Sequence, residues 1–513
     1  VGSADTTEIT LDGQGRGPSE PDDGIFLSGT TVETDGVLTL TNDTSMPVRG
    51  DAARVSDSTL KANSVTATLA ADGYALYVDE NSSIVTTGGA ITVSAESDSE
   101  DGLRLYDSTI ASFTDITFKG LGSNDFVKGA DEGIDAENMS ILANGDIEIR
   151  AETTDDHGIE FNRVASFIGS GSFDGDDYDA NSVTIEGIGA SDAGIQFYSE
   201  SGLHEISAAS AVSLDGGSTD AAGLELTGLT IDTTDGPIDI SGDGDVGGDL
   251  KFTSQSGNVT VHDSLNEIDQ SPVGPANLTI SASDITLSDA LGGDTPLASV
   301  TATGASLTLQ DIITTGTQSY TASNGITANG SYTSSEAEIT FTGDVTIADS
   351  VGMSVDTGSG SGNITFIGTV DSEAGEGNDL TLTAGSGDVD LQGDAGLAAS
   401  GDLGELAIVS AGQVDLASIE SDSFAVTAAT NIDLNSTTYT AASSAISLGG
   451  PTDLDAGDAT TTLTASTANT GGLSAEQIVD GNQDTTLVVD VGDNHLDLTN
   501  SGNDFSKLVI PAS

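Results

Sequence analysis

The chain has 513 residues, 83 of them Asp or Glu against 11 Lys or Arg, and a formal net charge of -72. That charge repels phosphate backbones and anionic lipid, which argues against nucleic-acid partners, and it favours solubility and the capture of cations. There is no Cys, so disulfides, thiolate metal sites and Cys nucleophiles are excluded, and no apolar run reaches the roughly 18 residues that would predict membrane insertion. Acidic chains poor in aromatics are often disordered. Here the hydrophobic 36% of the residues recur with a period, which predicts a packed core. The chain opens at Val1 without a basic and apolar leader, as expected of a processed mature form or of a segment from something longer.

From Gly24 onward one phrase returns, a Gly followed by apolar–any–apolar, as in Gly102-Leu103-Arg104-Leu105, Gly158-Ile159-Glu160-Phe161 and Gly223-Leu224-Glu225-Leu226. Each copy is followed by a lone apolar residue and then by a second triplet such as Ile116-Thr117-Phe118 or Ile147-Glu148-Ile149. Short period-2 segments repeating every 20 to 36 residues or so predict a β-solenoid, with three short strands in each coil. Aligning the phrases gives one inward column of Ile25, Ala53, Tyr74, Leu103, Ile134, Ile159, Ile195 and Leu224. A second inward column holds Leu27, Val55, Leu76, Leu105, Ala136, Phe161, Phe197 and Leu226. Between them an outward column of Phe26, Arg54, Ala75, Arg104, Asp135, Glu160, Gln196 and Glu225 is expected to be exposed, because a one-residue slip would bury its charges.

The regular phrase covers residues 1–240. A junction rich in Gly and Asp, with Pro272 and Pro275, occupies 241–276, and a second β-helical region with looser corners runs over 277–513. In that region bare triplets dominate, among them Leu278-Thr279-Ile280, Ile339-Thr340-Phe341 and Val414-Asp415-Leu416. A longer echo joins 299–333 to 407–440 through Tyr320-Thr321 and Tyr439-Thr440. The expectation is an all-β parallel β-helix of roughly 20 coils with loop insertions, at about 24 residues per coil, and right-handed by the crossover rule for parallel strands together with the resemblance given next.

The phrases Leu380 to Gly393 (LTLTAGSGDVDLQG), Leu406 to Ile419 (LAIVSAGQVDLASI) and Leu498 to Ile510 (LTNSGNDFSKLVI) carry a resemblance. The second half is similar to the repeat regions of filamentous-haemagglutinin-like adhesins and large exoproteins of Gram-negative bacteria. The first half resembles right-handed β-helix repeats of autotransporter passengers and polysaccharide lyases. The resemblance implies a right-handed helix, secretion, and adhesive or matrix roles.

Two acidic clusters stand out as cation ligands: Asp174, Asp176, Asp177 and Asp179 with Asn181 in the longest insertion, and Asp243, Asp245 and Asp249 in the junction. Oxygen-only donors on loops suit Ca2+, although neither spacing is that of an EF-hand and a chain this acidic clusters Asp by chance. A saline habitat accounts for the charge equally well. Eight of the basic residues fall together: Arg49, Arg54, Lys61, Arg104, Lys119, Lys128, Arg150 and Arg163. A carbohydrate-active enzyme would need convergent carboxylates or a base beside the sugar. Arg104 with Asp135 reads instead as a cross-coil ion pair, and His157 near Glu160 as a corner residue.

These features predict a non-enzymatic, extracellular or cell-surface solenoid, a structural or adhesive segment of a large protein. Its expected partners are itself or other cell-surface and matrix components, polysaccharide included. The alternative is a protomer of a head-to-tail extracellular filament or sheath, joined through Thr6 to Leu11 at one end and Leu487 to Val491 and Leu508 to Ile510 at the other. A carbohydrate-active β-helix enzyme comes third.

Overall fold

The computed structural model describes residues 8–13, 24–43, 48, 50–122, 132–153, 156–162, 166–190, 192–199, 203–218, 221–268, 275–348, 352–398, 401–427, 429–456, 460–465, 472–479, 486–492, 494–499, 502–504 and 507–511. Thr6, Thr7, Arg49, Lys128, Arg163, Pro272 and parts of the phrase Leu498 to Ile510 lie outside the described residues. The described chain is an all-β parallel β-solenoid of about 17 turns, near the coil number expected from the spacing, with no helix. It forms two compact units, residues 1–283 and 284–513.

In unit 1 the coil after Gly133 is representative. Strands Ile134–Glu137, Ser140–Ala143 and Ile147–Glu152 each pair in parallel with their equivalents one coil before and one coil after. Three faces result, of which the first is a ten-stranded sheet from Ile25–Ser28 to Leu265–Glu267. Alternation drives the packing: Ile134, Ala136, Ile141, Ile147 and Ile149 are buried while the residues between the members of each triplet turn outward. Each such Ile contributes about 1.5–3 kcal/mol of hydrophobic free energy. Parallel register also stacks like on like, and Phe161 lies on Phe197 at 4.5 Å between ring centroids.

The corners explain the recurring small and acidic residues. Where the first face turns into the second, Gly29, Asp57, Asp107, Asn138, Gly228 and Gly248 all have left-handed φ, between 45° and 67°. Gly, Asn and Asp tolerate that conformation best. The glycine that opens the phrase has another cause. A Cβ on Gly194 would stand 2.4 Å from the carbonyl oxygens of Gly187 and Gly217, so the backbones there pass too closely for any side chain.

Two expectations from the sequence need correction. The coil at Gly73 is two residues out of the expected alignment: Leu76, Tyr77 and Val78 pair with Ala53, Arg54 and Val55, and Leu103 pairs with Leu76. Tyr74 therefore lies in the corner and not in the core. A buried phenol needs a hydrogen-bond partner, and outside the core Tyr74 finds one, accepting from Arg104 Nη1 at 2.5 Å. The outward column is also less exposed than expected. Asp135 and Glu160 are half-buried and Gln196 is only 8% exposed, because corner side chains and the neighbouring coils cover that face.

Residues 241–276 hold strands Gly244–Gly247, Asp249–Ser254, Val259–Val261 and Leu265–Glu267, which continue the coils of unit 1. Unit 2 repeats the three-faced plan. Ile339, Ile364, Val389, Val414 and Ile432 make one inward ladder, and Tyr320, Phe341 and Phe366 stack beside it at 5.0 and 4.8 Å. The Tyr-Thr echo is not a structural equivalence. Tyr320 pairs with Phe341 on this face, whereas Tyr439 pairs with Ile419 on another and donates its hydroxyl to the Leu416 carbonyl at 2.9 Å.

Candidate functional site

Polar side chains converge most densely on the outside of the ten-stranded sheet, where two columns run side by side. One is the outward strand column Arg54, Tyr77, Arg104, Asp135, Glu160 and Gln196. The other is the corner column Asp51, Tyr74, Asp101, Glu132 and His157, tied from coil to coil by backbone hydrogen bonds. Within it, Asp51 Oδ1 accepts from the Tyr74 amide at 3.3 Å and Asp101 Oδ1 from the Glu132 amide at 3.2 Å. Parallel register and the repeat place one functional group per coil in each column.

The stripe begins cationic and aromatic. Arg54 pairs with Asp79 at 2.7 Å and lies over the Tyr77 ring at 4.6 Å. Arg104 lies over Tyr74 at 5.0 Å and Tyr77 at 5.6 Å. It reaches Asp135 at 3.3 Å and Asp101 at 3.7 Å, so the cross-coil pair expected from sequence is present within a larger network.

The following coils turn acidic. Asp101 is 3% exposed, and burial first, then Glu132 and Asp135, push its carboxyl well above the usual range against the pull of Arg104. Glu132, whose amide donates to Asp101, brings a carboxyl oxygen within 4.8 Å of one from Glu160. Glu160 is pushed up to about 8 by burial and then by the charges of Glu132 and Asp135, with His157 acting in the opposite sense. His157 approaches Asp156 at 2.9 Å and Asp192 at 3.3 Å. Burial pulls its imidazole down, but the carboxylates of Asp156, Asp192 and Glu160 together outweigh burial and leave it raised to about 9.

A carboxyl that keeps its proton at neutral pH, beside a carboxylate facing an arginine, is an unequal pairing able to transfer a proton. The same group of oxygens and one imidazole can also take up a cation.

The sequence-derived acidic clusters are arranged differently. Gly171–Phe173 and Asp176–Tyr178 form an antiparallel hairpin turning at Asp174 and Gly175, with φ of 53° and 88°. Asp176 and Asp177 are consecutive strand residues and so point to opposite faces. Asp179 accepts from Ser170 at 3.2 Å, and Asn181 donates to Asp146 at 2.6 Å. In the second cluster Asp243 accepts from Ser264 and Asp249 from Asn277, both at 2.9 Å, while Asp245 sits in the outward strand column opposite Glu225. Among the described residues, no three carboxylates of either cluster bring their oxygens within 4.8 Å of one another.

Sequence analysis picked out Arg104 with Asp135 and His157 near Glu160 but missed Asp101 and Glu132 and the stripe that joins them, although a signal existed. Acidic residues or His precede the recurring glycine at Asp101, Glu132 and His157 in successive coils. Comparison with protein-family models, with curated proteins and with solved structures returned no match.

Proposed function

We propose that the chain is a non-enzymatic structural or adhesive β-solenoid, an extracellular or cell-surface segment of a large protein of the kind its repeats resemble. One observation carries this reading: the coil interiors are filled with apolar side chains, and polar chemistry is presented outward, repeated coil by coil. Such a surface offers many equivalent contacts to a repetitive partner, and multivalency makes weak contacts sufficient. The half-covered stripe of Arg, Tyr and carboxyl groups suits a hydroxyl-rich polysaccharide, which these groups bind by hydrogen bonds and ring stacking. The test is retention of the chain on immobilised cell-surface polysaccharides, with product analysis of the same incubations. Retention weakened by Tyr77→Ala, with no new sugar ends, is expected. Release of reducing or unsaturated ends that disappears in Glu160→Gln would replace this reading with a carbohydrate-active enzyme.

The filament reading draws on a different observation. Strand Glu8–Gly13 pairs with Val37–Asn42, and Lys507–Val509 with Thr486–Asp490, and among the described residues neither strand has a partner on its other edge. An open strand edge is a template for a second chain. Light scattering with Ca2+ present tests it: particles that lengthen with concentration, and stop doing so in Thr10→Pro or Leu508→Pro, support assembly.

A further inference from the structure

Unit 2 carries a groove on its outer surface, with a volume of about 500 Å3, within the ~300–1,000 Å3 of small-molecule sites. Parallel register builds it. Asp311 precedes Ile312, which pairs with Tyr332, so Asp311 falls in one outward column with Ser331, Ser354 and Thr381 over four coils. Met353, 2% exposed, lines the groove between them. The groove stays open because two successive coils turn on glycine at its edge. Gly330 and Gly352 have φ of 76° and 84°. A Cβ on Gly330 would collide with the Asp311 carboxylate, and one on Gly352 would stand 2.7 Å from the Asp379 carbonyl oxygen.

The lining sorts the ligands it can take. Asp311 Oδ1 accepts from the Ser331 amide and Asp379 Oδ1 from the Glu405 amide, both at 2.6 Å. These ties fix each carboxylate and leave it a second oxygen to accept with. Among the described residues, no partner engages the hydroxyls of Ser331, Ser354 and Thr381. The lining holds no Lys, Arg or His, and the one Lys or Arg of the unit is Lys507 in its last strand. An anionic sugar would therefore meet two carboxylates without a counter-charge. Neutral sugar hydroxyls fit instead. They donate to the carboxylates in charge-assisted bonds, while Ser and Thr hydroxyls both donate to them and accept from them.

We infer that this groove binds a neutral hexose polymer, its chain lying along the column from Asp311 to Thr381. The coil spacing of about 4.8 Å is close to the advance of one hexose along an extended glycan, so successive coils meet successive sugars. No aromatic ring lines the groove, so each contact is weak and repetition along the polymer supplies the affinity. The site rests on the polysaccharide reading above, and it gives unit 2 a contact of its own in addition to the Arg and Tyr stripe of unit 1.

The test uses the full chain labelled with 13C at its methionine methyls, of which there are only three. Hexamers of glucose, mannose and galactose are the neutral probes, and hexagalacturonate is the anionic one. At least one neutral hexamer should shift the Met353 methyl saturably, and hexagalacturonate should not. Ser354→Gln, which fills the groove from a half-exposed position, should weaken that titration about fivefold, the worth of one or two hydrogen bonds. Tyr77→Ala, in unit 1, should leave it unchanged. The wild-type titration decides even where a variant fails to fold. No shift of Met353 with any neutral hexamer at millimolar concentration, an equal shift with hexagalacturonate, or equal affinity in a folded Ser354→Gln would each overturn the groove. Retention on immobilised polysaccharide with an unmoved Met353 methyl would condemn the groove alone, whereas loss of both would condemn the polysaccharide reading with it.

Discussion

Residues 284–513 contain one Lys or Arg, Lys507, and residues 1–283 contain the other ten. Both units are three-faced parallel solenoids, so the same fold accommodates dense carboxylates in two ways. In unit 1 the outward face of the ten-stranded sheet gathers them around Arg54, Arg104 and His157, half-buried and mutually coupled. In unit 2, with almost no cations, they serve as corner ties. Asp344 accepts from the Thr369 amide at 3.0 Å, Asp371 from Ala398 at 3.1 Å, Asp388 from Gln413 at 2.9 Å and Asp394 from Ser418 at 3.2 Å, each one coil along. A carboxylate satisfied by backbone amides can sit alone at a surface. One covered by neighbours needs a cation or a proton. That difference locates the chemistry in unit 1.

The largest effects come from the interior, where the units are alike. Ile159 is fully buried, and Ile159→Asp places an unpaired charge in the core of unit 1 at a cost of about 4 kcal/mol or more. Phe341→Ala in unit 2 removes a ring stacked on Tyr320 and Phe366 and costs about 3–5 kcal/mol. Hydrogen exchange checks both. Protection should collapse in the strands flanking the substitution, Ile134–Glu137 and Ile195–Phe197 in the first case. Undisturbed protection there would mean that the inward ladder is wrong.

How far the sequence could be read follows the same division. Inward columns were legible because period-2 alternation leaves one register that keeps charges out, and Ile134, Ile159 and Ile195 do form a ladder. The Gly73 coil was misaligned because Tyr74-Ala75-Leu76 and Leu76-Tyr77-Val78 both satisfy the pattern, and only the three-dimensional pairing with Ala53 and Leu103 chooses between them. The cover over Glu160 and Gln196 was not legible. It depends on corner side chains such as His157 folding back over the strand, and period 2 says nothing about corners. Unit 2 misled through composition: Tyr-Thr recurs at Tyr320 and Tyr439, but unequal coils carry the two to different faces.

A second contrast concerns pH, and it rests on His204. The ring is fully buried, its Nδ1 accepting from the Ser166 amide at 3.1 Å and its Nε2 donating to the Tyr198 carbonyl at 3.2 Å. Those partners fix a neutral tautomer, and burial lowers the group from 6.5 to about 4. Between these values the unfolded chain binds a proton that the folded chain refuses. His204 therefore withdraws stability from unit 1 as pH falls from 6.5 towards 4, by on the order of 3 kcal/mol and no further below, against the opposite contribution of the raised carboxyl of Glu160. His204→Gln should remove that loss from the profile. If wild type and variant share one profile, the histidine is not held neutral.

Arg104 tests the coupled stripe directly. Its side chain is 30% exposed, while its partners Asp101 and Asp135 are 4% and 14% exposed. Arg104→Met leaves covered carboxyls without their cation and should cost about 2–3 kcal/mol, less than a fully buried pair because water still reaches the guanidinium. Denaturant melts at low and high salt measure it. A loss below about 0.5 kcal/mol would place the network among ordinary surface ion pairs.

The smallest effect belongs to the corner ties of unit 2 and decides whether they account for the abundance of Asp. Asp388 Oδ1 accepts from the amides of Gln413 at 2.9 Å, and its own amide donates to Asn363 at 2.9 Å, so one corner links three coils. Asp388→Ala removes the acceptor and leaves the Gln413 amide to water, at a cost of about 1–1.5 kcal/mol. Asp388→Asn keeps an acceptor of the same shape and loses only the charge. If the tie is geometric, the Asn variant should recover most of the stability at any ionic strength, and relief of repulsion in so acidic a chain should offset what the weaker bond gives up. An Asn variant as unstable as the Ala variant would show that charge itself holds the corner. The comparison would then turn on cations bound outside unit 2 as well, and the two units would differ in degree and not in kind.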